Sequence, residues 1–375
     1  MHTLFATCIA AAALAGDLRP LAEAYVEPDY AFNGVNRALM VQVTSPRRFG
    51  DMALAVMDAD GRPLAEPVEV EEGPNNLAAL FPELWQWRRT SYVQLLKRGE
   101  PEGSALVLVP MLSRMVPVTT REPHPAYGYM HTKIIGWRDE FEPEAETDPD
   151  AEAAGDSGRG NVSQATPAPP PRERFFTGYR AYVERDVVLH TSLGDIRLAM
   201  RPDHAPNTVR NFMDLCREGF YRDVIFHRIV PMTRDGDPFV IQAGDPTGVG
   251  DGGPGYWLPI EPSALPHDFG VISMARDDNP DTAGSQFFIC LSRAGTARLD
   301  VQYCAFGYAV AGAQTIAAIA QVELADVASG RPANPPIIHS AELAPAPARI
   351  PGSGRPDAPV QPPLITPRKP GRVPR

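Results

Sequence analysis

Few residues of this chain have the type and the company that chemistry needs. Arg228 sits in Phe226-His227-Arg228-Ile229-Val230-Pro231, and Gln242 in Phe239-Val240-Ile241-Gln242-Ala243-Gly244-Asp245-Pro246. A third polar residue, Gln286, stands in Gly284-Ser285-Gln286-Phe287-Phe288-Ile289. A guanidinium held in an apolar strand is a permanently charged, planar fork of donors that can grip a carbonyl oxygen or an electron-rich nitrogen. The bland alternative for a strand arginine is a surface cation. His227 neighbours Arg228, so strand alternation sends it to the other face, where it reads as a packed or surface histidine rather than a base. The four cysteines (Cys8, Cys216, Cys290 and Cys304) include no C-x-x-C pair, which excludes a disulfide scaffold and an ordinary zinc-finger pattern. Cys290 and Cys304 read as small core hydrophobes, with a disulfide between them as the alternative. Asp58 and Asp60 lack the further ligands of a calcium loop and read as a turn, Asp58-Ala59-Asp60-Gly61.

The elements that must position these residues begin at Asp186. Val187–Thr191 and Asp195–Ala199 are two strand-like runs around Ser192-Leu193-Gly194. Pro206 and Asn207 open a helix in which Val209, Phe212, Met213 and Cys216 recur at helical spacing, and Gly219 ends it. Strands are expected at 224–230, 239–242, 271–275, 286–290 and 305–308, with a second helix at 313–321. Eight or so strands, two helices and many glycine turns imply a closed antiparallel eight-stranded β-barrel capped by the helices, in a mainly β protein.

Taken together, these segments resemble the cyclophilin-type peptidyl-prolyl cis-trans isomerases, in a bacterial-like form. Ser273-Met274-Ala275, Leu299-Asp300 and Phe306-Gly307 add to the three motifs above, all in the family's order, within residues 186–343. The resemblance implies an enzyme that rotates X-Pro peptide bonds and assists protein folding. Such a reaction breaks no bond, so it calls for no nucleophile, metal or cofactor. It must instead favour a twisted amide over a barrier near 20 kcal/mol. By resemblance Arg228 and Gln242 are catalytic, Arg228 as the donor and Gln242 as the holder of the substrate carbonyl. Phe239, Val240, Phe288 and Leu299 form the proline pocket, Ala275 and Arg276 grip the peptide, and Gln286 supports the peptide or Arg228. Tyr303 stands where many members carry a histidine. The alternative is a non-catalytic peptide-binding module on the same fold.

Three departures from the family stand out. Seven residues, 232–238, separate Pro231 from Phe239 where one is usual, and imply a protruding loop at the pocket rim. Val240 replaces a methionine. Arg298 occupies the place of a tryptophan that binds cyclosporin, which implies weak cyclosporin binding.

Composition assigns the rest of the chain. Of 375 residues, 41 are proline, the formal net charge is −11 and 43% are hydrophobic. The cores can therefore be built, but no apolar run reaches the roughly 20 residues of a membrane-spanning helix. The acidic balance argues against a nucleic-acid partner and leaves proline-containing polypeptides as the partners. Residues 1–20 carry an apolar run and a small-x-small site, Ala13-Leu14-Ala15, which together imply a signal peptide and export to a periplasm; the alternative is a cytoplasmic protein. Residues 21–138 are β-rich and imply a small β-sandwich-like domain without a catalytic cluster, with strands at 39–43 and 52–57 and a hairpin over 92–97 and 105–111. Residues 139–156 hold nine acidic residues and no Lys or Arg, so 139–174 reads as a disordered linker. Residues 344–375 hold ten prolines and six basic residues and read as a disordered tail after an isomerase domain at 175–343.

Overall fold

A computed structural model describes residues 25–45, 51–124, 128–141 and 174–363. The expected signal peptide, most of the expected linker and the last twelve residues lie outside the described residues.

The N-terminal part holds two antiparallel sheets. One has six strands in the order Phe32–Gly34, Phe176–Val183, Glu100–Leu112, Ser91–Lys97, Met52–Met57, Pro63–Val70. The other has three, Tyr25–Pro28, Met40–Thr44 and Gly73–Asn76. Both contribute to one core, with Val26, Val41 and Val43 against Leu54, Val56, Leu106 and Leu108. Ala105-Leu106-Val107-Leu108-Val109 is a continuous apolar run because both of its faces are covered. Leu106 and Leu108 enter that core, while Ala105, Val107 and Val109 join a second core that includes Val187, Leu189 and Phe212. The expected turn at 58–61 is present, with Asp58 Oδ1 accepting from the amides of Asp60 and Arg62.

The division expected at residue 175 is corrected. Strand Phe176–Val183 pairs with Glu100–Leu112, placing Ala181 opposite Leu108, so it completes the N-terminal sheet. The strands of the second sheet begin at Arg185.

That second sheet has nine strands, all antiparallel to their neighbours. Their order is Val224–Ile225, Ile337–Pro345, Arg185–Thr191, Gly194–Met200, Ala305–Ala311, Val271–Met274, Phe287–Cys290, Val240–Ala243, Arg228–Val230. Its two edge strands are joined in the chain by Phe226 and His227 alone, so the sheet must curl back on itself. The edges are not hydrogen-bonded to each other, and the expected closed eight-stranded barrel is therefore corrected to a curled, open-laddered sheet of nine. The segment 224–230 is two short strands because its backbone is drawn aside. The Phe226 amide donates to Pro336 O and the Ile229 amide to Gly330 O.

Helices Pro206–Arg217 and Ala313–Ala320 stand close to where their spacing puts them. Ala205 cannot cap the first one, so the Glu261 carboxylate takes its Asn207 and Thr208 amides instead. Cys216, Cys290 and Cys304 are buried and unbridged, so the alternative disulfide is not formed.

The expectation of a disordered tail is corrected for residues 344–363. Arg349 is 1% exposed, with Nε and Nη2 each 2.8 Å from the Glu184 carboxylate and its guanidinium carbon 3.4 Å from the Tyr92 ring centroid. Arg355 donates to both oxygens of the buried Asp186. Beyond the turn closed by Ile350 and Gly354 the segment has little regular secondary structure, and its cations find buried carboxylates that composition cannot reveal. No helix among the described residues is long and apolar enough to cross a membrane.

Candidate active site

Sheet register builds the site. Arg228 lies opposite Gln242, Gln242 opposite Phe288, and Phe288 opposite Ser273. One rung away, Val230, Val240 and Cys290 are paired on the same face. The intervening rung, Ile229, Ile241, Ile289 and Ile272, points to the opposite face and is fully buried. Alternation thus puts isoleucines in the core and a row of working side chains on the outside.

That row is held by side-chain hydrogen bonds. Arg228 Nη1 donates to Gln242 Oε1 at 3.1 Å, and Gln242 Nε2 donates to Gln286 Oε1 at 3.0 Å. Gln286 Nε2 donates in turn to Gly250 O at 2.7 Å and Gly252 O at 2.9 Å. Gln286 therefore steadies Arg228 through Gln242. The loop that offers those carbonyls is organised by Asp245, fully buried, whose carboxylate accepts from the amides of Thr247, Val249 and Gly250 and from the Thr247 hydroxyl. Burial pushes the Asp245 carboxyl up, but these donors outweigh it and leave it at about 2.

The floor is apolar. Val240, Phe288 and Leu299 are buried and pack with Phe239, Ala275 and Tyr303. Phe288 is backed by the His267 ring at 6.0 Å and 18°, and His267 is itself fixed between Asp300 and Ser273. The Arg276 guanidinium lies 4.5 Å from the Tyr303 ring centroid and donates to Gln302 O.

Nine of the ten residues singled out from sequence line one hollow of about 680 Å³: Arg228, Phe239, Val240, Gln242, Ala275, Arg276, Phe288, Leu299 and Tyr303. Gln286 lies in an adjoining hollow of about 750 Å³, which shares Gln242, Ala275 and Arg276 with the first. His227 is packed, as expected, at 8% exposure, but its expected facing is corrected: it lines the first hollow, because the break at Phe226–His227 ends the strand alternation that would have turned it away. Burial pushes its imidazolium down, with Arg228 adding to that and Asp245 opposing it. The loop at 232–238 is tied by the Thr233 amide to Asp237 O and exposes Met232. Sequence reasoning missed Asp245 as the organiser of the 247–250 loop, although Asp followed by Thr two residues on is a turn signal. It also missed His124 and Tyr129, which line the hollow from the N-terminal part, and no local signal marks them.

Comparison with known proteins identifies the family of this part of the chain. Residues 186–343 match the family described as cyclophilin type peptidyl-prolyl cis-trans isomerase/CLD. Peptidyl-prolyl cis-trans isomerase-like 1 of Aspergillus fumigatus is 42% identical over 136 residues, 35% of this chain and 79% of that protein. A peptidyl-prolyl cis-trans isomerase of Synechococcus elongatus is 47% identical over 103 residues, 28% of this chain and 66% of that protein. A crystal structure of a cyclophilin type isomerase of Cryptosporidium parvum aligns at 30% identity with a TM-score of 0.39, covering 44% of this chain and 99% of that one. The chain belongs to the cyclophilin-type peptidyl-prolyl cis-trans isomerases.

Proposed function

We propose that the row Arg228–Gln242–Gln286 over the Phe239, Val240, Phe288 and Leu299 floor is the machinery by which this isomerase turns X-Pro bonds. The observation that carries it is the bonded chain from Arg228 through Gln242 to Gln286, anchored on Gly250 O and Gly252 O. The apolar floor takes the proline ring and holds it while the rest of the peptide rotates. As the amide twists it loses resonance, and its nitrogen becomes pyramidal and basic. Arg228 gives one N–H to Gln242 and keeps the other donors of its fork for that nitrogen or the carbonyl oxygen. Gln242 Nε2 has two N–H groups and uses one on Gln286, which leaves one for a substrate carbonyl.

A 10⁵-fold acceleration calls for roughly 7 kcal/mol of selective transition-state binding. A charge-assisted bond at the edge of an apolar floor supplies a large part of that. The substrates are X-Pro bonds of extended or still-folding polypeptide, so the enzyme assists folding. The exposed Arg298 in place of an aromatic ring makes cyclosporin a weak ligand, which inhibition of the purified protein tests. The non-catalytic alternative is not favoured, since no member of the row is replaced.

The deciding experiment is a protease-coupled isomerisation assay on an X-Pro peptide with wild type and Arg228→Ala. Acceleration by wild type and its near loss in the variant are expected. Equal rates for both overturn the assignment of Arg228.

A further inference from the structure

The strands Met115–Pro123 and Met130–Asp139 pair only with each other among the described residues, as a two-stranded ribbon leaving the N-terminal part. Ribbons of this kind are marginal alone, and this one is held against the isomerase part. Thr132 donates from its amide and its hydroxyl to Asp278, at 2.7 and 3.0 Å. Gln302 clamps Ile134, accepting from its amide and donating to its carbonyl, both at 2.9 Å. Arg114 reaches Asp281 at 2.5 Å. The clamped segments, 276–281 and 302–303, include Arg276 and Tyr303 of the hollow.

This docking carries the ribbon tip to the proline site. His124 and Tyr129 line the hollow and stack at 5.1 Å and 27°. The Arg298 guanidinium lies 4.7 Å from the centroid of the Phe239 ring, which belongs to the apolar floor. Burial, His131, Arg298 and Arg234 all push the His124 imidazolium down. The residues lining the hollow include four arginines and two histidines and no carboxylate. That stands against a chain whose net charge is −11. Two carboxylates of the docking wall, Asp278 and Asp281, are engaged by the ribbon, and Asp251 and Asp277 belong to the adjoining hollow.

We propose that His124 and Tyr129 of the ribbon, with Arg298, form a substrate-reading wall that selects polypeptides bearing Asp or Glu within a few residues of the X-Pro bond. Tyr129 and His124 offer flat amphipathic area to the peptide chain, and Arg298 pairs with the carboxylate. The proposal rests on the groove assigned above, and binding is therefore read separately from turnover.

The test uses the full chain and three capped peptides with one Ala-Pro bond, flanked by Glu pairs, Gln pairs or Lys pairs. Affinity is measured by calorimetry and cis–trans exchange by two-dimensional exchange NMR. At low salt the Glu peptide should bind roughly tenfold tighter than the Gln peptide and the Lys peptide weaker than both, the preference fading in 0.5 M salt. Arg298→Glu should reverse the order, and His124→Ala with Tyr129→Ala should weaken all three flanked peptides. Arg298→Gln, which leaves the ribbon intact, should level the Glu and Gln peptides. Selective binding without isomerisation would sink the catalytic assignment and leave the selectivity standing. Equal affinities in wild type, or an order untouched by Arg298→Glu, overturns the proposal.

Discussion

Gln286→Leu isolates what the hydrogen-bonded row contributes. The leucine keeps most of the volume and removes three bonds, one to Gln242 Nε2 and two to the carbonyls of Gly250 and Gly252. At about 1 kcal/mol net each, the stability loss is about 3 kcal/mol at most, less what the apolar side chain regains. The catalytic loss has another origin. With Nε2 released, the Gln242 amide is free to turn, and its Oε1 no longer has to face Arg228. A misplacement of the order of 1 Å at a reacting group costs up to about 100-fold, so kcat/KM should fall about 10- to 100-fold with KM little changed. Removing the donor itself, in Arg228→Ala, should cost about 10²–10³-fold. The double variant decides between mechanisms, because the row lets Gln286 act through Gln242, chiefly by fixing the Gln242 oxygen that Arg228 bonds, rather than on the substrate itself. In the Arg228→Ala background, Gln286→Leu should add less than about threefold. Exchange NMR on one tetrapeptide, with unfolding midpoints measured in parallel, supplies all the numbers. If the two losses multiply, to about 10³–10⁵-fold, the relay to Arg228 is wrong and Gln286 acts independently of it, through the Gln242 amide or on the substrate.

Three more outcomes follow from the same geometry. The Asp245 carboxyl lies at about 2, below its unfolded value, so its contribution to stability is complete above about pH 4 and is lost as pH falls toward 2; Asp245→Asn should flatten that acid limb of a urea-midpoint profile. Arg349→Ala leaves Glu184, 2% exposed, without its bidentate partner and with Arg355 Nη1 at 3.4 Å as its remaining cation, and should cost up to about 3 kcal/mol in denaturant unfolding. Gly244→Ala places a Cβ 2.3 Å from Ser285 O at φ +95°, and a loss of at least about 2 kcal/mol should appear as a lower Tm with the loop beside Gln242 disturbed.

The parts of the molecule legible in the sequence are those whose physics is local. The apolar runs at 224–230, 239–242 and 286–290 marked the strands, and the family resemblance singled out Arg228, Gln242 and Phe288 on them. The helix opened by Pro206 announced itself through Val209, Phe212, Met213 and Cys216. What escaped depends on partners far along the chain. The strand 176–183 looked like the start of the isomerase part because nothing near it names Leu108 as its neighbour. The segment after residue 344 looked disordered because its prolines are visible while the carboxylates of Glu184 and Asp186, waiting for Arg349 and Arg355, are not. The break at Phe226 is decided by Pro336 and Gly330, more than a hundred residues later. His124 and Tyr129 reach the proline site only because Asp278 and Gln302 hold the ribbon there.

The clasp formed by the C-terminal segment dictates when this protein can finish folding. Residues 349–360 touch both halves: Arg349 seals Glu184, the Gly352 amide bonds Gly61 O, and the Val360 amide bonds Ala309 O. Strand Ile337–Pro345 must also arrive before Arg185–Thr191 has its second neighbour. During synthesis the apolar run 105–109 emerges with one of its faces still uncovered, and the clasp follows roughly 250 residues later, about 12–50 s at ~5–20 residues per second. The packing of both halves is thus complete only once residues 349–360 are in place. Through that interval strand Glu100–Leu112 can pair with Ser91–Lys97 but keeps the face of Ala105, Val107 and Val109 open to solvent.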